Sequence, residues 1–155
     1  MKQAQAYKKL RSLAKQSLDS IRQNIIVKEK NYYVAFDRFK IVKTADGFSV
    51  YRLDTFEHEF VNSQNATSFC ILEKHGRQDY SQNLLHLDKK LQHKMFDFEV
   101  AKHTISKSKD KDRITTAAIR AQESILESKN LKEQINHIVN LAKYFQEKEL
   151  TNETN

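Results

Sequence analysis

The chain has 155 residues, 39% hydrophobic and 30% charged, with a net charge of +7. This fits one domain, or one small domain with an appendage, whose modest core lies under a heavily charged surface. No stretch approaches the ~20 apolar residues of a membrane span, and a single cysteine excludes an internal disulfide, which fits a reducing, cytoplasmic setting.

The first segment, residues 1–24, carries most of the charge excess. Within residues 1–30, eight Lys and Arg face only Asp19 and Glu29, a net of +6, so the remaining 125 residues are close to neutral. Tyr7, Leu10, Ala14, Leu18 and Ile21 recur at helical steps, with Leu13 beside them. The spacing predicts an amphipathic helix over residues 2–22, ending near Asn24, with a basic outer face. Its apolar stripe would dock it, leaving the lysines solvated, or its cations would contact phosphate. The same stretch lacks the continuous apolar run of a secretory signal.

Residues 25–78 change period. IIVKE, YYVAF, FKIVKT and FSVYRLD are rich in β-branched and aromatic residues and predict a small antiparallel meander, with a further short strand through His58–Val61. Asp46 and Gly47 suit a three-residue loop closed by a left-handed glycine. That loop pairs Thr44 with Phe48 and places Phe39, Ile41, Tyr51 and Leu53 on one face. Next, VNSQNATSFCILEKHG predicts a short helix laid across the sheet, capped at Asn62 or Ser63 and stopped at Gly76. Ala66, Phe69 and Cys70 share its inner side. Cys70 and His75 lie about 140° apart on a helix, at ~100° per residue, so they make no nucleophile–base pair. Cys70 reads as a small buried hydrophobe and His75 as solvent-facing.

Residues 79–147 predict a long helical hairpin. Leu84, Leu87, Leu91, Phe98 and Ile105 hold a seven-residue beat, with Met95 and Ala101 beside it. The polar run SKSKDKD, residues 106–112, is a turn or a solvated stretch of one continuous helix. Ile114, Ala118, Ala121 and Ile125 start a second stripe. Leu131, Ile135, Ile138, Leu141, Ala142 and Phe145 continue it after a one-residue slip near residues 128–130, the mark of a kink, break or stutter. Residues 148–155 form a polar tail expected to fray. Two antiparallel helices bury only part of each other's stripe, so the remainder must meet another element or another chain.

Chemistry-bearing motifs are sparse. His86 and His93 stand seven apart, whereas metal ligands on one helix need a spacing of three or four. His93 and Asp97 have that spacing without a third ligand. His58–Glu59 lacks a second histidine. Two isolated glycines cannot cradle a phosphate, and Glu57, Glu59, Asp97 and Glu99 read as solvated or ion-paired. No catalytic residue, metal ligand or cofactor is expected. Nucleic-acid contact would use Lys8, Lys9, Arg11 and Lys15 on the first helix, with Arg38, Lys40, Lys43 and Arg52 on the exposed ribbon.

The strings HEFVNSQNATSFCIL, LLHLDKKLQHKMFDFEVAKH and SKSKDKDR, in this order after a strand-rich segment, resemble small uncharacterised proteins of tailed phages infecting marine cyanobacteria and related ocean bacteria. The resemblance spans most of residues 25–146. It implies a viral origin and a place in the host cytoplasm or the virion, and it brings no activity, cofactor or site residue.

The sequence therefore predicts an α+β fold in which a basic N-terminal helix precedes a small antiparallel sheet with one short packed helix, and a C-terminal long helical hairpin follows. The expected function is a non-enzymatic protein-binding or assembly protein that engages a partner or itself through the helical pair, without membrane association. A nucleic-acid-binding accessory protein is the alternative.

Overall fold

The computed structural model describes residues 4–11 and 21–154. It is an α+β chain. Five strands, β1 (Ile26–Lys28), β2 (Tyr32–Ala35), β3 (Phe39–Lys43), β4 (Phe48–Arg52) and β5 (Thr55–Phe60), precede three helices, α1 (Ser63–Lys74), α2 (Gln78–Lys107) and α3 (Lys111–Thr154). The chain divides into two compact units, residues 1–59 and 60–155. The sequence grouped α1 with the sheet in residues 25–78. Instead α1 falls within the second unit, where it packs on both α2 and α3.

In the first unit residues 4–11 are helical, and every one of them is exposed. Tyr7 and Leu10 are 68% and 64% accessible, so the expected docking stripe is not buried here. Leu13, Ala14, Lys15 and Leu18 lie outside the described residues.

The strands form one five-stranded meander in sequence order. The hairpin between β3 and β4 pairs Lys43 with Phe48, Ile41 with Val50 and Phe39 with Arg52. This is one residue away from the expected register, and a one-residue slip moves a whole strand to the other face. Phe39, Ile41 and Val50 therefore share the buried face. Tyr51 sits opposite Lys40 on the other, and Leu53 lies in the next turn, exposed. The reason lies at Thr44. Its backbone N–H donates to the Gly47 carbonyl (2.8 Å), while its Oγ1 accepts from the Gly47 N–H (3.1 Å) and donates to Glu59 Oε1 (2.7 Å). The threonine closes a turn over Ala45 and Asp46, and Gly47 does not adopt a positive φ.

The left-handed residues fall elsewhere. Phe36 and Asp37 (φ 58° and 54°) form the tip between β2 and β3, closed by Arg38 N–H to the Ala35 carbonyl at 3.1 Å. A non-glycine residue there costs roughly 1–2 kcal/mol. Phe36 is buried, and a buried phenylalanine contributes about 1.5–3 kcal/mol, enough to offset the strain.

In the second unit α1 begins as expected. The Asn62 side chain accepts from Asn65 N–H at 2.8 Å. It ends in a Schellman motif, with Arg77 N–H on the Leu72 carbonyl (2.8 Å), Gly76 N–H on Glu73 (3.1 Å) and Gly76 at φ +69°. Ala66, Phe69, Cys70 and Leu72 are all buried, and Phe69 packs on Phe60 with ring centroids 5.2 Å apart.

The run at 106–112 breaks into a short connection, residues 108–110. Asp110 makes the new helix start: its Oδ1 accepts from Asp112 N–H (3.0 Å) and its carbonyl from Ile114 N–H (3.0 Å). The slip near residue 128 is not present, and α3 is one uninterrupted helix of 44 residues. Its inward side is Ala117, Ala121, Ser124, Ser128, Leu131, Ile135, Ile138 and Ala142, an unbroken alternation of four- and three-residue steps. Following the bulky residues hid this stripe, because small ones hold its first half. The tail does not fray at 148–149 either. Glu149 Oε2 accepts from Lys74 Nζ (2.8 Å) and lies 3.1 Å from His75 Nε2, while the His75 ring lies 6.1 Å from that of Phe145. His75, expected in solvent, is thereby half-covered.

Candidate protein-interaction surface

Helical rows seven residues apart show how α1 sits on the hairpin. On α2 one such row is Ser81, Asp88, Met95 and Lys102. On α3 the matching row is Val139, Lys132, Ile125, Ala118 and Lys111. Ser81, Asp88 and Val139 are buried, and α1 is what covers the first two. Ser81 Oγ donates to Glu73 Oε1 at 2.6 Å. Asp88 Oδ1 accepts from Asn65 Nδ2 (3.0 Å) and Val61 N–H (3.3 Å), and its Oδ2 accepts from Gln92 Nε2 (2.7 Å). These pairs, with Lys74 on Glu149, set α1 antiparallel to α2 and parallel to α3, in the groove between them.

Beyond the first turn of α1 the groove goes on without it. Val61, Asn62, Gln64 and Asn65 form one end of a cleft of about 610 Å³ whose far walls include Leu91, Met95, Lys129 and Lys132. It leads to a second hollow of about 360 Å³ lined by Met95, Phe98, Glu99, Ile125, Ser128, Lys129 and Lys132. Met95 is 47% and Ile125 53% accessible, and Ile105 on the same side is 38% accessible. The rows that α1 covers at one end are thus left open at the other.

Small residues explain why. The distal core consists of Ala101, Ala117 and Ala121, with Phe98 packed against it. Alanines at the seam let the helices approach closely, and their neighbours at ~100° per residue are turned to the flank. The larger Met95 and Ile125 lie on that flank instead of between the helices.

The opposite side of the distal hairpin is more heavily charged, although Phe96 and Val100 are exposed there too. Its groove is lined by Lys94, Asp97, Asp112, Arg113, Arg120, Glu123 and Glu127, among others. Lys94 Nζ bridges Glu127 and lies 3.9 Å from Asp97. The hydrogen bond to Glu127 holds the Lys94 pKa above the ordinary lysine value, its charge adds to the effect, and desolvation opposes both. Near the start of α2, a hydrogen bond from Arg77 lowers the Asp79 pKa, and the Arg77 guanidinium stacks over Tyr80 and Phe145.

The cations singled out for nucleic acid do not converge on the sheet. Strand alternation puts Lys40 on one face, with its Nζ 4.4 Å above the Tyr32 ring, and Lys43 and Arg52 on the other. Arg52 is taken up by Glu57 at 3.0 Å and by the Phe39 ring, and Arg38 lies in the turn after β2. The four cations therefore share no face: Lys40 and Lys43, three apart on one strand, fall on opposite sides in any register, and the one-residue shift puts Arg52 with Lys43. Lys8, Lys9 and Arg11 are exposed on residues 4–11, and Lys15 lies outside the described residues. Among the described residues no three His, Cys, Asp or Glu side chains gather as metal ligands, and no helix is long and apolar enough to cross a membrane. Cys70 is buried.

The sequence shows Met95 beside the first apolar stripe and Ile125 within the second, without saying which of them stays open. Sequence reasoning missed Asp88 as a buried anchor. The signal available was the spacing of seven that joins Asp88 to Ser81 and Met95.

The chain matches no family model, no curated protein and no solved structure.

Proposed function

We propose that this chain is a non-enzymatic binding or assembly protein that engages a protein partner through its C-terminal helical pair. The observation that carries this reading is the open continuation of the α1 groove, where Met95 and Ile125 stay accessible on rows whose proximal members Ser81, Asp88 and Val139 are buried. The resemblance to phage proteins supports a viral setting, in the host cytoplasm or the virion. The test is a photo-crosslinking amino acid placed at Ile125, compared with one at Arg120 on the charged side, in source-cell lysate and with purified protein. A discrete adduct at position 125 and none at 120 is expected. Equal labelling at both positions, or none, refutes the reading.

Nucleic-acid binding is the alternative and draws on the exposed Lys8, Lys9 and Arg11. It requires an affinity for duplex or single strands that falls steeply with salt. Affinity that is absent or independent of salt refutes it.

A further inference from the structure

We infer that the distal groove, between α2 and α3 beyond the first turn of α1, receives an amphipathic helix with acidic flanks from another protein. The inference rests on the protein-binding reading above and deepens it.

The shape argument comes from the chain itself. The proximal half of this groove already holds a helix, α1, antiparallel to α2, buried over most of its length and tied to α2 through Asn65 and Glu73. The same two rows run on past Asn65 to Met95 and Ile125, so what fits the first half fits the second. From Gln92 to Lys107 the open length of α2 is about 24 Å at 1.5 Å per residue, room for a helix of roughly four turns. Recognition of this kind lays the apolar face of a helix into a groove.

Charge selects the occupant. Lys129 and Lys132 line the distal groove, with Glu99 and Glu133 as its acids. Lys102 and Lys111 extend the same two rows, and all four lysines are exposed. The neighbouring carboxylates Asp97, Asp112, Glu123 and Glu127 line the other side of the hairpin. An apolar floor rimmed by lysines favours a helix with glutamate or aspartate beside its apolar stripe. A second copy joined groove to groove would set these lysines against their own counterparts, which is repulsive. A lipid surface is flat, whereas this site is a concave continuation of a helix seat.

The test titrates full-length protein with three labelled 18-residue peptides. One carries leucines at i, i+3, i+4 and i+7 with flanking glutamates, one carries lysines in their place, and one is a scramble of the first. Saturable binding of the acidic peptide is expected, at least about tenfold tighter than either other peptide. Ile125→Glu, at an exposed position that leaves the melt unchanged, should weaken it by a similar factor. Lys129→Glu with Lys132→Glu should shift preference toward the basic peptide. The inference is overturned if the acidic peptide binds no better than the scramble or if Ile125→Glu has no effect. It is also overturned if light scattering shows a dimer that Ile125→Glu dissolves, or if the protein sediments with phosphatidylglycerol vesicles through Ile125 while ignoring the peptides. Position-specific crosslinking at Ile125 with no peptide binding removes this inference and leaves the protein-binding reading standing. Failure of both removes both.

Discussion

Asp88 anchors α1 in its groove, and replacing it should loosen that helix by a predictable amount. The carboxylate is fully buried and accepts from Asn65 Nδ2, Val61 N–H and Gln92 Nε2. Asp88→Ala leaves the Asn65 amide and the Val61 N–H without their acceptor. Each stranded donor costs about 1–3 kcal/mol, while half-exposed Gln92 turns to water, so about 2–6 kcal/mol is expected in total. Asp88→Asn keeps one carbonyl oxygen for Asn65 and Val61, so its cost should be smaller, about 1 kcal/mol. Cys70, on the buried side of α1, supplies the assay. A thiol reagent reaches it only when α1 opens, so native protein should label slowly and denatured protein fast. If labelling follows the open population, Asp88→Ala accelerates it by about 30- to 20,000-fold, at 1.4 kcal/mol per decade. A double-mutant cycle with Asn65→Ala should show coupling of about 1–2 kcal/mol, since both changes remove the same bond. Acceleration below about fivefold, or additivity in the cycle, would refute the assignment of Asp88 as the anchor.

Three further outcomes follow from the same geometry. Gly76→Ala should destabilise the second unit by about 1 kcal/mol, because the φ of +69° is costly for any side chain although a Cβ meets nothing within 4 Å; an unchanged urea midpoint would count against the Schellman stop. Glu127→Gln should lower the midpoint slightly at neutral pH. The folded Lys94 pKa is raised, so the pair's contribution is present below the ordinary lysine pKa and is lost as pH rises through the raised one; a wild-type advantage that persists in stronger alkali contradicts this. Hydrogen exchange should be faster for the amides of residues 95–122 than for those of 84–91 and 131–142, because the distal seam is built from alanines and the proximal one from leucines and isoleucines; uniform protection along the hairpin argues against the gradient.

Much of this fold was readable before any coordinates. Asn62 and Gly76 bracket α1 because caps are local chemistry, and local chemistry is written in neighbouring residues. The strands were legible from period and β-branching. The hairpin register was not, because Thr44 closes the turn with a side chain that reaches Glu59, fifteen positions on. The α3 stripe was misread for a different reason. Hydrophobic size is no guide to its inward side, because the buried positions Ala117, Ala121 and Ser124 are small. Asp88 escaped because a carboxylate looks solvated until its donors, from Val61, Asn65 and Gln92, are brought to it in space. Of the interaction surface, the members were visible as apolar residues, but their outward direction depends on how closely two helices approach.

That closeness ties the hairpin's construction to its proposed use. A leucine seam holds helices apart and consumes their apolar residues, as Leu84, Leu91, Leu131 and Ile135 do in the proximal half. An alanine seam contributes little burial by itself, so the distal half gains less from its own contact. It leaves Met95 and Ile125 accessible, a cost that a monomer with no partner has no reason to carry on rows that α1 shows how to cover. A third helix in that position would supply the missing burial, turning a weakly cored projection into the three-helix packing already present at its base. The same residues would then account for both the distal half's lower stability alone and its fitness to bind.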